Sequence, residues 1–222
     1  MAYAHSLAVT LAAAGLTVFA PAHAMTDQAL AGMVKQRLQG DRTGACMAVA
    51  VVEAGTVART YQCADSKDLS RIGPDSAFEI GSVSKTMTAA LLADLIAQGK
   101  GSLDDPLSAW LPDGTKLPDY HGTPILLRHI VTHTSGLPAL PSRMGAADMT
   151  DPYAKLDETA LLASLGDVTL TAAPGTKFEY SNFASMVLSY AVARRAGADM
   201  ETLLKQRLFA PLGMRHAYVN TA

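Results

Sequence analysis

Phe78-Glu79-Ile80-Gly81-Ser82-Val83-Ser84-Lys85 decides how this chain is read. Phe78 and Ile80 alternate with polar neighbours, the pattern of a short extended segment, and Gly81 breaks it. Met87 to Ala97 is then an apolar run that predicts a helix, hydrophobic nearly all round and therefore buried, with Gly99 as its stop. Ser82 falls at the start of that helix and Lys85 one turn later on the same face. A serine hydroxyl alone is a poor nucleophile near neutral pH, but an amine within reach, its pKa lowered by burial, can take the proton. The unpaired N–H groups of a helix start can hold a developing oxyanion. By itself Ser-x-x-Lys is weak, since it arises by chance roughly once in a few hundred residues. A helix-capping serine followed by a solvated lysine has the same spelling.

Composition narrows the setting. The 222 residues suffice for one large domain or two small ones, and 49% hydrophobic against 17% charged residues describes a globular chain. A net charge of -2 offers no basic surface to nucleic acid. Leu7 to Ala20 is uncharged and apolar, too short to span a bilayer comfortably, and Ala22-His23-Ala24 supplies a small-x-small cleavage site. Residues 1–24 therefore read as an export signal to the periplasm or beyond, with Met25 the first mature residue, although no Lys or Arg precedes the apolar stretch. The other reading makes Met25 the true start. No other segment approaches transmembrane length, so stable membrane insertion is not expected.

The two cysteines, Cys46 and Cys63, flank a hairpin whose turn falls at Ala54-Gly55. If Glu53 pairs with Thr56, the same register brings Cys46 opposite Cys63, within disulfide range and permitted by export. Ala-Gly is a poor two-residue turn, however, and a longer loop would leave two buried thiols; both readings stand.

Along the chain, Thr26 to Leu38 has helical periodicity, with Leu30, Met33, Val34 and Leu38 on one face. Ala45 to Val52 and Thr56 to Gln62 form the hairpin. After Lys100 come a short helix around Leu107 to Trp110 and a helix from Pro124 to Val131 with proline in its first turn. Further helices are expected over Leu156 to Leu165, Asn182 to Ala196 (stopped by Gly197) and Met200 to Phe209. The order is strands first, then helices and loops. Two antiparallel strands cannot cover a core alone.

A second motif, Pro174-Gly175-Thr176-Lys177-Phe178-Glu179-Tyr180-Ser181-Asn182, ends on a helix start. Its plain reading is a half-buried aromatic and a capping asparagine. Beside Ser82 and Lys85 it has a sharper one. A neighbouring ammonium favours the phenolate, which makes Tyr180 a usable base, and Asn182 offers both a donor and an acceptor to a substrate amide.

With both motifs in view, the chain resembles the serine β-lactamase and penicillin-binding superfamily. Within it, the likeness is to class C β-lactamases and their D-Ala-D-Ala carboxypeptidase and esterase relatives. The matching stretches are Phe78 to Thr86, Leu103 to Pro106, Leu127 to Pro138, Pro174 to Asn182 and Pro211 to Met214, in family order. The resemblance implies an α+β fold, β-lactamase/transpeptidase-like: an antiparallel sheet flanked by helices plus a mostly helical subdomain. Residues 25–81 would belong to the sheet domain, and 82–222 would carry the nucleophile helix and helical subdomain. It implies Ser82 as the acylated nucleophile, Lys85 as its proton partner, Tyr180 as proton relay and activator of the deacylating water, and Asn182 as the residue that binds the substrate amide. His129, His133 and Ser135 carry no catalytic role in the family and read as packing and turn residues. No cofactor or metal is implied; His129 and His133 are spaced i, i+4, but no third ligand is suggested nearby. The implied partners are a small-molecule β-lactam or a D-Ala-D-Ala peptide, met by a monomer.

One departure stands out. The family's third motif, Lys-Thr-Gly or His-x-Gly on a later strand, has no match after Asn182. The sequence therefore looks like the N-terminal part of such an enzyme, with the C-terminal part of the sheet missing. The expectation is a chain that alone is poorly folded and nearly inactive, lacking a second oxyanion donor worth about 10²–10³ in rate.

Overall fold

The computed structural model describes residues 24–65, 67, 71–145 and 153–219. Apart from Ala24, the expected export signal lies outside them. The chain forms two compact units, one up to Glu79 and one from Ile80 onward.

The first unit is a helix laid on a hairpin. Helix α1 (Asp27–Leu38) starts at Thr26, whose hydroxyl accepts the Ala29 N–H, and strands β1 (Cys46–Glu53) and β2 (Thr56–Cys63) pair antiparallel. Leu30, Val34 and Leu38 are buried against Ala58, with Val49 and Val51 at the margin. Met33, expected on the same face, is 57% exposed. Position 33 is three residues on from 30, not four, and lies to one side of the stripe that the i, i+4 ladder 30–34–38 buries. The register is the expected one: Glu53 faces Thr56 and Cys46 faces Cys63. Ala54 and Gly55 both take positive φ (47° and 83°), which makes a two-residue turn of the kind that matches strand twist and overrides the poor propensity of alanine there. The cysteines form a disulfide with Cα atoms 4.0 Å apart. Residues 76–80 form no strand, contrary to expectation; Phe78 and Ile80 are 56% and 47% exposed. Among the described residues the sheet has two strands only, so alternation there has no partner to pair with.

The second unit is helical. A 3₁₀ turn (Gly81–Val83) leads into α2 (Ser84–Ala97). Short α3 (Leu127–Val131), α4 (Glu158–Gly166), α5 (Asn182–Ala196) and α6 (Met200–Leu204, continued by a π turn to Phe209) follow. Leu91, Leu92 and Leu95 of α2 join Trp110, Leu127, Ile130, Phe183, Val187 and Ala191 in one core. Helix α2 is not buried all round: Ala90, Ala93 and Ala97 are exposed, because its leucines form a single stripe and alanine supplies the rest of its apolar character. Helix α3 begins three residues later than Pro124 suggests, since Leu126 is extended and bridges to Pro106. Helix α5 starts where expected, but its cap is Ser181, whose hydroxyl accepts the Ala184 N–H at 2.9 Å; Asn182 is the first helical residue. Trp110, fully buried, donates its indole N–H to Asp105 at 3.0 Å and carries the Arg195 guanidinium over its ring.

Candidate active site

Local sequence places Ser82 and Lys85. Gly81 takes φ +52°, a conformation that glycine adopts without penalty. The chain then winds through a 3₁₀ turn, pinned by the Ser84 hydroxyl donating to the Gly81 carbonyl at 2.7 Å. Ser82 is thereby held one turn before Lys85, and the Lys85 ammonium donates to Ser82 Oγ at 2.9 Å.

Tyr180 arrives from the other end of the unit. Its loop is laid along residues 133–139 by a row of hydrogen bonds. Gly175 N–H donates to the Thr134 carbonyl (2.8 Å), Glu179 N–H to that of His133 (2.7 Å), and the N–H groups of Asn182 and Phe183 to that of Ala139 (3.0 and 3.1 Å). The Ser181 hydroxyl donates to the Pro138 carbonyl at 2.6 Å. This template carries the Tyr180 hydroxyl to Ser82 Oγ, where it donates at 2.7 Å. Lys85 Nζ lies 5.0 Å from the centre of the Tyr180 ring. The neighbouring ammonium, and then the bond to Ser82, hold the Tyr180 phenol below its ordinary value, because both favour the phenolate.

Ser82 and Lys85 open on a cleft of about 320 Å³ that Thr88, Tyr153, Asn182 and Met186 also line, among others. Asn182 therefore shares a wall with Ser82 and Lys85, one helix away. Ser82 and Tyr180 are solvent-exposed, and Lys85 is half-buried. Chemically, an oxygen nucleophile with two proton partners at hydrogen-bond distance, beside a cleft of small-ligand size, is equipped for acyl transfer.

His129, His133 and Ser135 each satisfy a backbone N–H, in line with their reading as turn residues. His129 Nδ1 accepts from Leu126 (3.1 Å), Ser135 Oγ from Leu137 (3.3 Å) and His133 Nδ1 from Ser181 (3.2 Å). His133 does more than that reading anticipates, since its ring also packs against Tyr180 with centroids 4.6 Å apart. Tyr153, on the cleft wall, carries no sequence signal either. Both depend on contacts distant in sequence, which spacing does not register. No group of three or more His, Cys, Asp or Glu side chains able to hold a metal occurs among the described residues.

The fold is of the β-lactamase/transpeptidase type. The β-lactamase family model matches residues 27–222, and the chain belongs to that family. A D-alanyl-D-alanine-carboxypeptidase/endopeptidase, AmpH of Escherichia coli, is 33% identical over 92% of this chain and 54% of its own length. A β-lactamase of the same species is 31% identical over 78% of this chain and 43% of its own. A class C β-lactamase solved in complex with cefoxitin superposes with a TM-score of 0.69 at 25% identity, covering 88% of this chain and 52% of that one. A β-lactamase/D-alanine carboxypeptidase from Yersinia pestis, solved with citrate, gives 0.64 at 30% identity, covering 78% and 50%. The chain thus spans about half the length of the curated relatives it matches. No helix among the described residues is long and apolar enough to cross a membrane.

Proposed function

We propose that this protein hydrolyses β-lactams through a covalent acyl-enzyme on Ser82, in the manner of a class C β-lactamase. The observation that carries the reading is the convergence of Lys85 Nζ and Tyr180 OH on Ser82 Oγ, at 2.9 and 2.7 Å. With Tyr180 as phenolate and Lys85 as ammonium, the serine proton passes to Tyr180 as Oγ attacks the lactam carbonyl. The Ser82 N–H, in the first turn of the helical segment, helps hold the oxyanion. On collapse the C–N bond breaks and Tyr180 returns the proton to the leaving nitrogen. A water then gives its proton to Tyr180 and attacks the ester carbonyl; as the bond from that carbon to Ser82 Oγ breaks, Tyr180 returns the proton to Oγ, which frees Ser82 and the acid. Asn182, on the cleft wall, hydrogen-bonds the substrate's side-chain amide. Export to the periplasm and a monomeric state belong to the same proposal.

A second reading has a specific observation behind it: the carboxypeptidase relative is matched over more of this chain than the β-lactamase. The same residues would then cleave D-Ala-D-Ala peptides, and the difference lies in how fast water reaches the acyl-enzyme. A chromogenic cephalosporin, a fluorescent penicillin and a D-Ala-D-Ala peptide, each given to the protein, separate the two. Rapid lactam turnover with no lasting label supports the lactamase. A lasting penicillin label with D-alanine release supports the peptidase. Short-chain ester cleavage without either would turn the assignment to an esterase.

A further inference from the structure

We infer that His133 is the positioning residue for Tyr180: it holds the residues on both sides of that tyrosine and its ring at once, and it can do so only as the neutral imidazole. The inference rests on the acyl-transfer reading above. Three contacts carry it. The His133 carbonyl accepts the N–H of Glu179, the residue before Tyr180, at 2.7 Å. Its Nδ1 accepts the N–H of Ser181, the residue after, at 3.2 Å. Its ring lies against the Tyr180 ring, centroids 4.6 Å apart and planes inclined by 35°. Phe178 meets the same ring edge-on, centroids 6.1 Å apart.

The backbone of His133 is bent to make this possible. It takes φ +55°, in the left-handed region that few non-glycine residues enter. That turn lets one residue offer its carbonyl to position 179 and its ring to position 181.

Acceptance by Nδ1 places the proton of the neutral ring on Nε2. Imidazolium has no lone pair at Nδ1, so protonation turns the Ser181 contact from a hydrogen bond into a meeting of two donors. Among the described residues, the charged and titratable groups facing the ring are Lys85 from α2 and Tyr180 from the loop; Glu179 is engaged with Lys177. Residues of α3 and α5 that share a small cavity with His133 and Lys85, Ile130, Val131, Ser185 and Leu188, carry no charge. Partial burial and the Lys85 charge both disfavour imidazolium and hold the His133 pKa below its ordinary value. Below that range the Tyr180 loop loses its clasp and Ser82 loses one proton partner.

The test compares wild type with His133→Asn and His133→Ala. Asparagine tolerates the left-handed backbone, carries an acceptor oxygen close to the place of Nδ1 and does not titrate. The rate of Ser82 acylation by a fluorescent penicillin is followed from pH 4 to 9. The expected wild-type acid limb contains one proton more than that of His133→Asn, an extra tenfold loss per pH unit at its acid end. At pH 8 His133→Asn should stay within about threefold of wild type, while His133→Ala falls by about 10²-fold or more. Superimposable profiles for wild type and His133→Asn, or a wild-type rate in His133→Ala, would overturn the inference.

A second readout needs no activity: the Tyr180 phenol titration, isolated as the absorbance difference between each protein and its Tyr180→Phe counterpart. It should move up in His133→Ala, as Tyr180 leaves Lys85, and stay in place in His133→Asn. Identical titrations in all three overturn the inference even if wild type proves unreactive. Failure of folded wild type to label at Ser82 counts against the acyl-transfer reading alone.

Discussion

The hydroxyl of Tyr180 and Oγ of Ser82, 98 positions apart in sequence, meet at 2.7 Å. A tether of that length provides no proximity of its own. The contact exists because residues 133–139 present carbonyls that seat the 175–183 loop. Tyr180→Phe keeps the ring contacts with His133 and Lys85 and deletes only the oxygen. We expect acylation of Ser82 to slow by about 10²–10⁴-fold with an unchanged melting temperature. A rate within threefold of wild type would mean that Lys85 alone manages the proton.

Lys85 governs the charge state of that oxygen. Its ammonium is the leading reason that the Tyr180 phenol sits below 10.0. Activity that depends on phenolate should therefore rise with pH through a midpoint under 10, since deprotonation creates the active form. Lys85→Met should return the phenol toward its ordinary value, read as the absorbance difference against the Tyr180→Phe partner. An unshifted titration would remove Lys85 from this role.

Away from the cleft, Asp167 gives a pH dependence of stability with a defined sign. Arg143 donates to it twice, at 2.8 and 2.9 Å, and Ser142 once at 2.7 Å, which lowers its pKa from 3.8 to about 2. A depressed carboxylate stabilises the folded state fully above 3.8, and that contribution is lost as pH falls through about 2. The melting temperature of wild type should thus drop more steeply between pH 4 and 2 than that of Asp167→Asn. Parallel curves would show that the ion pair, which is exposed, contributes nothing measurable.

The Cys46–Cys63 bridge closes a loop with a sequence separation of 17. Thiol titration of denatured, unreduced protein should find no free thiol, and reduction should destabilise the first unit by up to about 3 kcal/mol. Two titratable thiols before reduction would contradict the bond.

How much of this was legible depended on distance along the chain. Ser82 and Lys85 are related by one helical turn, so spacing alone aligned them. The hairpin register followed from counting outward from Ala54-Gly55, a turn whose positive φ values offset alanine's reluctance. Helix α5 was bounded correctly by Gly197 at φ 72°. Its cap is Ser181 and not Asn182, the alternative that the sequence leaves open; both are good caps, and the Ser181 hydroxyl is also held by the Pro138 carbonyl. The strand expected at Phe78–Ile80 failed because alternation reports two faces, not the presence of a neighbour to bond. His133 reads as a turn residue, which it is; its grip on Tyr180 belongs to the pairing of two loops, and that pairing has no sequence period.

Every role proposed for Lys85, Tyr180 and Asn182 requires that Ser82 become acylated. Intact-mass spectrometry after brief exposure to a penicillin, followed by peptide mapping, reads this directly. We expect one adduct with the mass of the intact lactam, on the peptide containing Ser82 and absent from Ser82→Ala. A folded protein that forms no adduct, or forms it on another residue, would contradict the central claim.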